Sequence, residues 1–183
     1  MNPDKIIRQY YAPQPEVYTL LTAHSRAVAD KALAIARLCS NNFILDLAFI
    51  EEAAMLHDIG IIYTNAPEIS CFGTFPYICH GYLGADMLRA EGYPLHALVC
   101  ERHTGTGLSL EHIEQHALPL PRRDMRPQTM EEQIICFADL FFSKTHLGKE
   151  KSAEKVRAKL QKYGDEDVRQ FDKWCEMFLT VSH

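Results

Sequence analysis

The stretch EEAAMLHDIG, residues 51–60, decides how the chain is read. Ala53, Ala54, Met55 and Leu56 make an apolar run, and His57 and Asp58 follow it side by side before Gly60. Two adjacent polar groups at the end of such a run are costly to bury without partners. One reading is local: a helix C-terminus, with His57 near the negative end of the dipole and Gly60 as the stop. The other is a buried polar site, which demands matching groups elsewhere in the chain.

Outward from this stretch, helical periodicity dominates and strand alternation is scarce. One long helix is expected over residues 16–39, with an inward stripe of Leu20, His24, Ala27, Val28, Ile35 and Leu38. A second runs over 46–58 from an Asp46 cap. Residues 61–75, holding Pro67 and Gly73, read as a loop. A third helix follows Pro76 and ends near Gly92; a fourth starts at Pro94 and ends before TGTG at 104–107. A Pro-rich loop covers 117–128, and TMEE at 129–132 is a capping box opening a fifth helix to about His146. Two more helices, over 150–162 and 165–180, finish the chain. The expectation is a single all-α domain over 1–183, of about six to seven helices, with any ligand core within 16–146 and the last two helices outside it.

Bulk properties narrow the function. A chain of 183 residues with 47% apolar and 23% charged side chains is an ordinary globular composition. The net charge of −5 argues against binding a nucleic-acid backbone through overall charge. None of the six cysteines (Cys39, Cys71, Cys79, Cys100, Cys136 and Cys175) forms a CxxC pair, and most sit in apolar stretches, as reduced core thiols do. The start MNPDKIIRQYY has no signal-peptide core, and no apolar run reaches membrane-spanning length. A soluble cytoplasmic protein without membrane or nucleic-acid partners is expected.

Several polar residues fall on faces that should be apolar. His24 shares the long helix's stripe with Leu20 and Val28, and Asp58 lies four residues after Ala54. His80 precedes Leu83 and Met87 at helical spacing, and His103 follows Val99 and Cys100. Asp139 stands among Phe137, Leu140, Phe141 and Phe142. Side chains three or four apart share a helix face, so His24, His57, Asp58, His80, His103 and Asp139 should all point inward. Any one of them alone has an ordinary explanation as a hydrogen-bonded core group or cap. Six together point to one shared cause, a buried metal site. His96, His112, His116, His146 and His183 read as surface residues.

The order His24, His57-Asp58, Asp139 resembles the HD-domain superfamily of metal-dependent phosphohydrolases. HDIG at 57–60 and AHSRAVADKALAIA at 23–36 carry the likeness, which spans about residues 24–142. His80 and His103, in CHGYLGADML and ERHTGTGLS, fall where binuclear members place two further ligands. The chain departs from the HD-GYP phosphodiesterases: HDIGII lacks their lysine, and GYP at 92–94 precedes His103 instead of following it.

The resemblance implies an enzyme that hydrolyses a nucleotide or other small phosphate ester with a metal-activated water. The alternative is a regulatory module that binds a nucleotide without turnover. His24, His57, Asp58 and Asp139 would hold one ion; Asp58, as a bridge, would hold a second with His80 and His103. Mixed nitrogen and oxygen ligands suit Fe, Mn, Zn, Co or Ni, with Fe or Mn favoured. Asp58, Arg102 and Lys144 are the candidate catalytic groups. Thr104, Arg122 and Arg123 are the candidate contacts to a small phosphorylated substrate.

Overall fold

The computed structural model describes residues 1–179. Among them are nine α-helices: α1 (Pro3–Tyr11), α2 (Pro15–Cys39), α3 (Leu47–Leu56), α4 (His80–Ala90), α5 (Pro94–Arg102), α6 (Leu110–Gln115), α7 (Met130–Asp139), α8 (Ala153–Leu160) and α9 (Asp165–Leu179). The fold is all-α apart from a two-residue ladder between 65 and 72, so the expected class is correct. The last residue of the expected 165–180 helix, and His183, lie outside the described residues.

Two helices exceed the expected set, and both have plain N-terminal signals. α1 is capped by the Asn2 side chain, which accepts from the Lys5 amide, with Pro3 in the first turn. α6, in a stretch without an expected helix, is capped by Ser109 accepting from the His112 amide. α7 opens as expected, with Thr129 accepting from the Glu132 amide. It stops at Asp139, short of His146, because Lys151 takes the carbonyls beyond it. The Lys151 amide donates to Phe141 O at 2.8 Å, and its ammonium donates to Leu140 O at 3.2 Å and to Phe142 O.

α2 is the axis on which α1, α3, α7 and α9 pack. Its buried arc is wider than the expected stripe and rotated from it: Leu21, His24, Ser25, Val28, Ala29, Ala32, Ala36 and Cys39 face inward, while Leu38 is exposed. A helix covered on several sides must bury more than one narrow stripe. Phe137 of α7 packs against Phe171, Trp174 and Phe178 of α9. Trp174 Nε1 donates to Gln133 Oε1 at 3.0 Å, which satisfies the buried indole. This seam holds the helix that carries Asp139.

Residues 61–75 are more ordered than a loop. Ile59–Tyr63 is a 3-10 helix, and β1 (Asn65–Ala66) pairs antiparallel with β2 (Cys71–Phe72), Asn65 opposite Phe72. Tyr11 of α1 anchors this segment: its hydroxyl donates to Ile59 O at 2.6 Å and accepts from the Ile62 amide at 3.1 Å.

Gly60 is not the stop that the sequence suggests. α3 ends at Leu56, and Gly60 does not adopt a positive φ. A Cβ there would sit 2.2 Å from His80 O and 2.4 Å from Gly84 N. Glycine therefore lets the backbone after Asp58 touch the backbone of α4, which brings His57-Asp58 next to His80. Gly81 does the same between α4 and α5, where a Cβ would meet Cys100 O at 2.8 Å.

Candidate metal centre

Four α-helices and one turn deliver six side chains to one place. His24 comes from the middle of α2, Asp139 from the last turn of α7, and His57-Asp58 from the turn after α3. His80 opens α4 and His103 closes α5. His24, His57, Asp58, His80 and His103 are all buried, and Asp139 is partly open.

The donor atoms fall into two groups that share Asp58. Asp58 Oδ2 lies 3.1 Å from His24 Nε2 and 2.9 Å from His57 Nε2; Asp139 Oδ1 is 3.0 Å from His24 Nε2. Asp58 Oδ1 turns the other way, 3.4 Å from both His80 Nε2 and His103 Nε2. These sets, four residues and three, each offer ligand atoms within 4.8 Å of one another.

The contacts are short but lack hydrogen-bond geometry. Among the described residues, His24 Nε2, His57 Nε2, Asp58 Oδ1 and Asp139 Oδ1 are buried with no hydrogen-bond partner, and Asp58 Oδ2 has the Lys144 ammonium beside it. Buried polar atoms without partners are rare, and so many aimed inward together suit a cation. The imidazole tautomers agree. Nδ1 of His57 faces Ala54 O at 2.6 Å, that of His80 faces Tyr77 O at 2.7 Å, and that of His103 faces Cys100 O at 2.7 Å. A backbone carbonyl only accepts, so Nδ1 carries the hydrogen and Nε2 presents its lone pair. His80 Nε2 and His103 Nε2 then stand lone pair to lone pair at 3.0 Å, which is repulsive unless a positive ion lies between them. The donor set fits a divalent transition metal on these grounds.

Without an ion, the two carboxylates act on the imidazoles instead. Burial presses the His57 imidazolium toward neutrality, but the Asp58 and Asp139 charges overcome this and raise it to about 10. Burial pulls His80 down to about 3. Burial favours the acid forms of Asp58 and Asp139. Contacts with neighbouring groups reverse this and hold both well below the usual carboxylate range: the charges of His57 and Lys144 for Asp58, and hydrogen bonding from His24 and His57 for Asp139.

The remaining expected residues divide. Lys144 reaches the centre, with Nζ 2.5 Å from Asp58 Oδ2. Thr104 directly follows His103, half-buried against the Gly81 backbone. Arg102 does not join the cluster as a free donor: its Nη1 is committed to both Glu132 oxygens at 3.0 Å. Arg123 is likewise committed, its Nε 2.6 Å from Oε1 of buried Glu101, whose Oε2 accepts from Arg89 at 2.8 Å. Arg122 is exposed beside Ile113, Glu114 and Leu118. His96, expected at the surface, packs edge-on to Phe49 and Tyr93 and is half-buried.

Tyr77 was not anticipated from the sequence. Its ring stacks on His80, with centroids 4.7 Å apart and planes at 24°, and its carbonyl holds His80 Nδ1. The available signal was its place three residues before a candidate ligand and one after Pro76. A cleft of about 650 Å³ lies between α6, the Pro-rich loop and α9, and its lining includes none of the six candidate ligands. The clustered buried ligand atoms, rather than cavity size, mark the candidate centre.

Comparison with known proteins identifies the family and agrees with the helical fold. The HD domain model matches residues 21–142, two-thirds of the chain, and the protein belongs to the HD-domain family. An uncharacterized protein of Methanocaldococcus jannaschii is 35% identical over 118 residues, covering 63% of this chain and 62% of that protein. A tRNA (cytidine(56)-2'-O)-methyltransferase of Thermoplasma volcanium is 32% identical over 124 residues, covering 67% of this chain but 32% of its own length. The chain thus spans under two-thirds of the curated relatives it matches. Among solved structures, the HD domain of the L. monocytogenes phosphodiesterase PgpH superposes with a TM-score of 0.54 at 18% identity, covering 96% of both chains. The same domain in complex with cyclic-di-AMP gives 0.56 at 19% identity, over 97% of this chain and 86% of that one. At these identities the two structures share the fold.

Proposed function

We propose that this protein is a metal-dependent phosphohydrolase, a phosphomonoesterase or phosphodiesterase, acting on a nucleotide-like or other small phosphate ester. The observation that carries the reading is Asp58, whose two buried oxygens face two separate ligand sets. The HD-fold neighbour that holds a cyclic dinucleotide supports a nucleotide-like ligand. The methyl transfer named for the archaeal relative is not carried over, since the match covers a third of that protein.

One or two divalent transition-metal ions, when bound, would supply Lewis-acid charge to the phosphoryl oxygens and a water acidified to near-neutral pKa. The chain's own groups prepare the rest. Carbonyls of Ala54, Tyr77 and Cys100 fix three imidazoles with Nε2 facing the centre, so little reorganisation accompanies binding. Asp58 and Asp139 stay anionic and offset the positive charge. The Lys144 ammonium, held cationic by Asp58 despite burial, is positioned to donate to a phosphoryl oxygen. Leu56 and Ile59, both fully buried, keep water from the protein side of the ligands.

The test is metal analysis of anaerobically purified protein, followed by a panel of nucleotides, dinucleoside polyphosphates, cyclic dinucleotides and sugar phosphates. One to two metal equivalents are expected by ligand count, with turnover abolished by chelation and restored by Mn or Fe(II). Turnover that survives verified metal removal defeats the reading. Nucleotide binding without hydrolysis of any ester replaces it with a regulatory module.

A further inference from the structure

Tyr77 is the unassigned group closest to this chemistry, and its placement has a local cause. Pro76, with φ −54° and ψ 146°, delivers the chain into the 3-10 turn Tyr77–Cys79, and His80 continues it into α4. In a 3-10 turn, side chains at i and i+3 eclipse. Tyr77 is therefore laid over the His80 imidazole while its own carbonyl receives Nδ1 of the same ring. The main-chain contact alone fixes the His80 tautomer, so the phenol is not needed for that task.

The phenol faces the other polar groups of the centre. Lys144 Nζ lies 5.8 Å from the Tyr77 ring centroid while contacting Asp58 Oδ2. Its charge and hydrogen bonding act on the Tyr77 hydroxyl, which also feels Asp58 and Asp139. The residue remains partly exposed, and among the described residues its hydroxyl has no backbone or carboxylate acceptor. A neutral O–H donor and an ammonium, side by side at the open edge of a cation-binding cluster, suit an oxygen that carries negative charge.

We propose that Tyr77 is a substrate-binding residue, its hydroxyl pairing with the Lys144 ammonium to hold a phosphoryl oxygen of the ester. This rests on the phosphohydrolase reading for its substrate class, but it can be tested through phosphate itself. The experiment compares Mn-loaded wild type with Tyr77→Phe and Tyr77→Leu, measuring metal content and the affinity for inorganic phosphate by calorimetry. Tyr77→Phe keeps the stacked ring and the carbonyl, so it should retain the wild-type metal content. It should bind phosphate about 10-fold or more weakly, the usual consequence of losing a hydrogen bond to a charged group. Tyr77→Leu also removes the ring and should add a loss of metal at the His80–His103 set. Phosphate affinity unchanged in Tyr77→Phe overturns the proposal. Metal lost already in Tyr77→Phe overturns it too, because the hydroxyl would then serve the metal ligands. A Mn-loaded wild type that binds no phosphate also overturns it. Phosphate binding by the wild type without turnover of any ester removes the hydrolase reading alone. Ester turnover by the wild type, with unchanged phosphate affinity in the variant, removes the Tyr77 assignment alone.

Discussion

Gly60→Ala should be among the most informative single-methyl changes in this chain. A Cβ at Gly60 would lie 2.2 Å from His80 O, 2.4 Å from Gly84 N and 2.9 Å from Gly84 Cα, against ordinary contact at 3.4–4 Å. All three are backbone atoms, so no side chain can swing aside; the turn after Asp58 and the start of α4 must separate by about 1 Å. Overpacking of this kind costs about 1–3 kcal/mol. For a chain of this size that is a fall in Tm of about 2–4 °C per kcal/mol. The metal centre is far less forgiving, since ligand distances tolerate only about ±0.2 Å. Asp58 sits on one side of the displaced contact and His80 on the other. The shared set of Asp58, His80 and His103 should therefore come apart while His24, His57, Asp58 and Asp139, which do not cross that contact, stay together. The assay is metal stoichiometry by elemental analysis alongside thermal unfolding. Gly60→Ala should lose about one equivalent with a modest fall in Tm. Gly92→Ala serves as the control: it imposes backbone strain at φ +84° in open space and should leave metal content unchanged. Wild-type metal content in a folded Gly60→Ala protein would refute the close-approach argument.

Four further outcomes are expected. Asp58→Ala should lose metal from both sets, whereas His103→Ala should lose only one equivalent; elemental analysis of the pair reads the bridge directly. Tyr11→Phe strands Ile59 O and the Ile62 amide beneath α1 and should cost about 1–3 kcal/mol in urea unfolding, with no loss of unfolding cooperativity. Arg123→Ala removes one of two arginines from buried Glu101 and should lower Tm with little change in the Michaelis constant; a raised constant at unchanged Tm would return Arg123 to the substrate. The Tyr10 hydroxyl, whose hydrogen bond to Glu91 and partial burial push its pKa up to about 12, favours its neutral form in the folded state. Its contribution is complete below the unfolded value near ~10 and lost as pH rises through 12, so Tyr10→Phe should flatten the fall in stability across that window.

The cluster of candidate metal ligands is legible in the sequence because each of its members breaks a local rule. A histidine on the α2 stripe, and a carboxylate among phenylalanines at the end of α7, are conflicts that helical spacing exposes without any tertiary information. Arg102 and Arg123 were not legible as structural struts. Their partners, Glu132 and Glu101, lie 30 and 22 residues away, and nothing local marks either carboxylate as buried. α1 carried a readable start, Asn2 followed by Pro3, but it is short and polar enough that the signal competes with an ordinary N-terminal tail.

Gly60 and Tyr77 show why the rest stayed hidden. A glycine after a helical run is written identically whether it adopts a left-handed turn or lets another backbone come close; only the presence of His80 O and Gly84 N distinguishes the two. Tyr77 precedes His80 by three residues, a spacing that places two rings on one helix face only loosely but eclipses them in a 3-10 turn. Both residues act at the same joint, where the backbone after Asp58 meets the start of α4. That joint sets the separation between the two ligand sets, so the HDIG glycine and the 3-10 turn before His80 are the features that make Asp58 able to face both. A chain that kept all six ligands but carried a side chain at position 60 would hold the first set and lose the second.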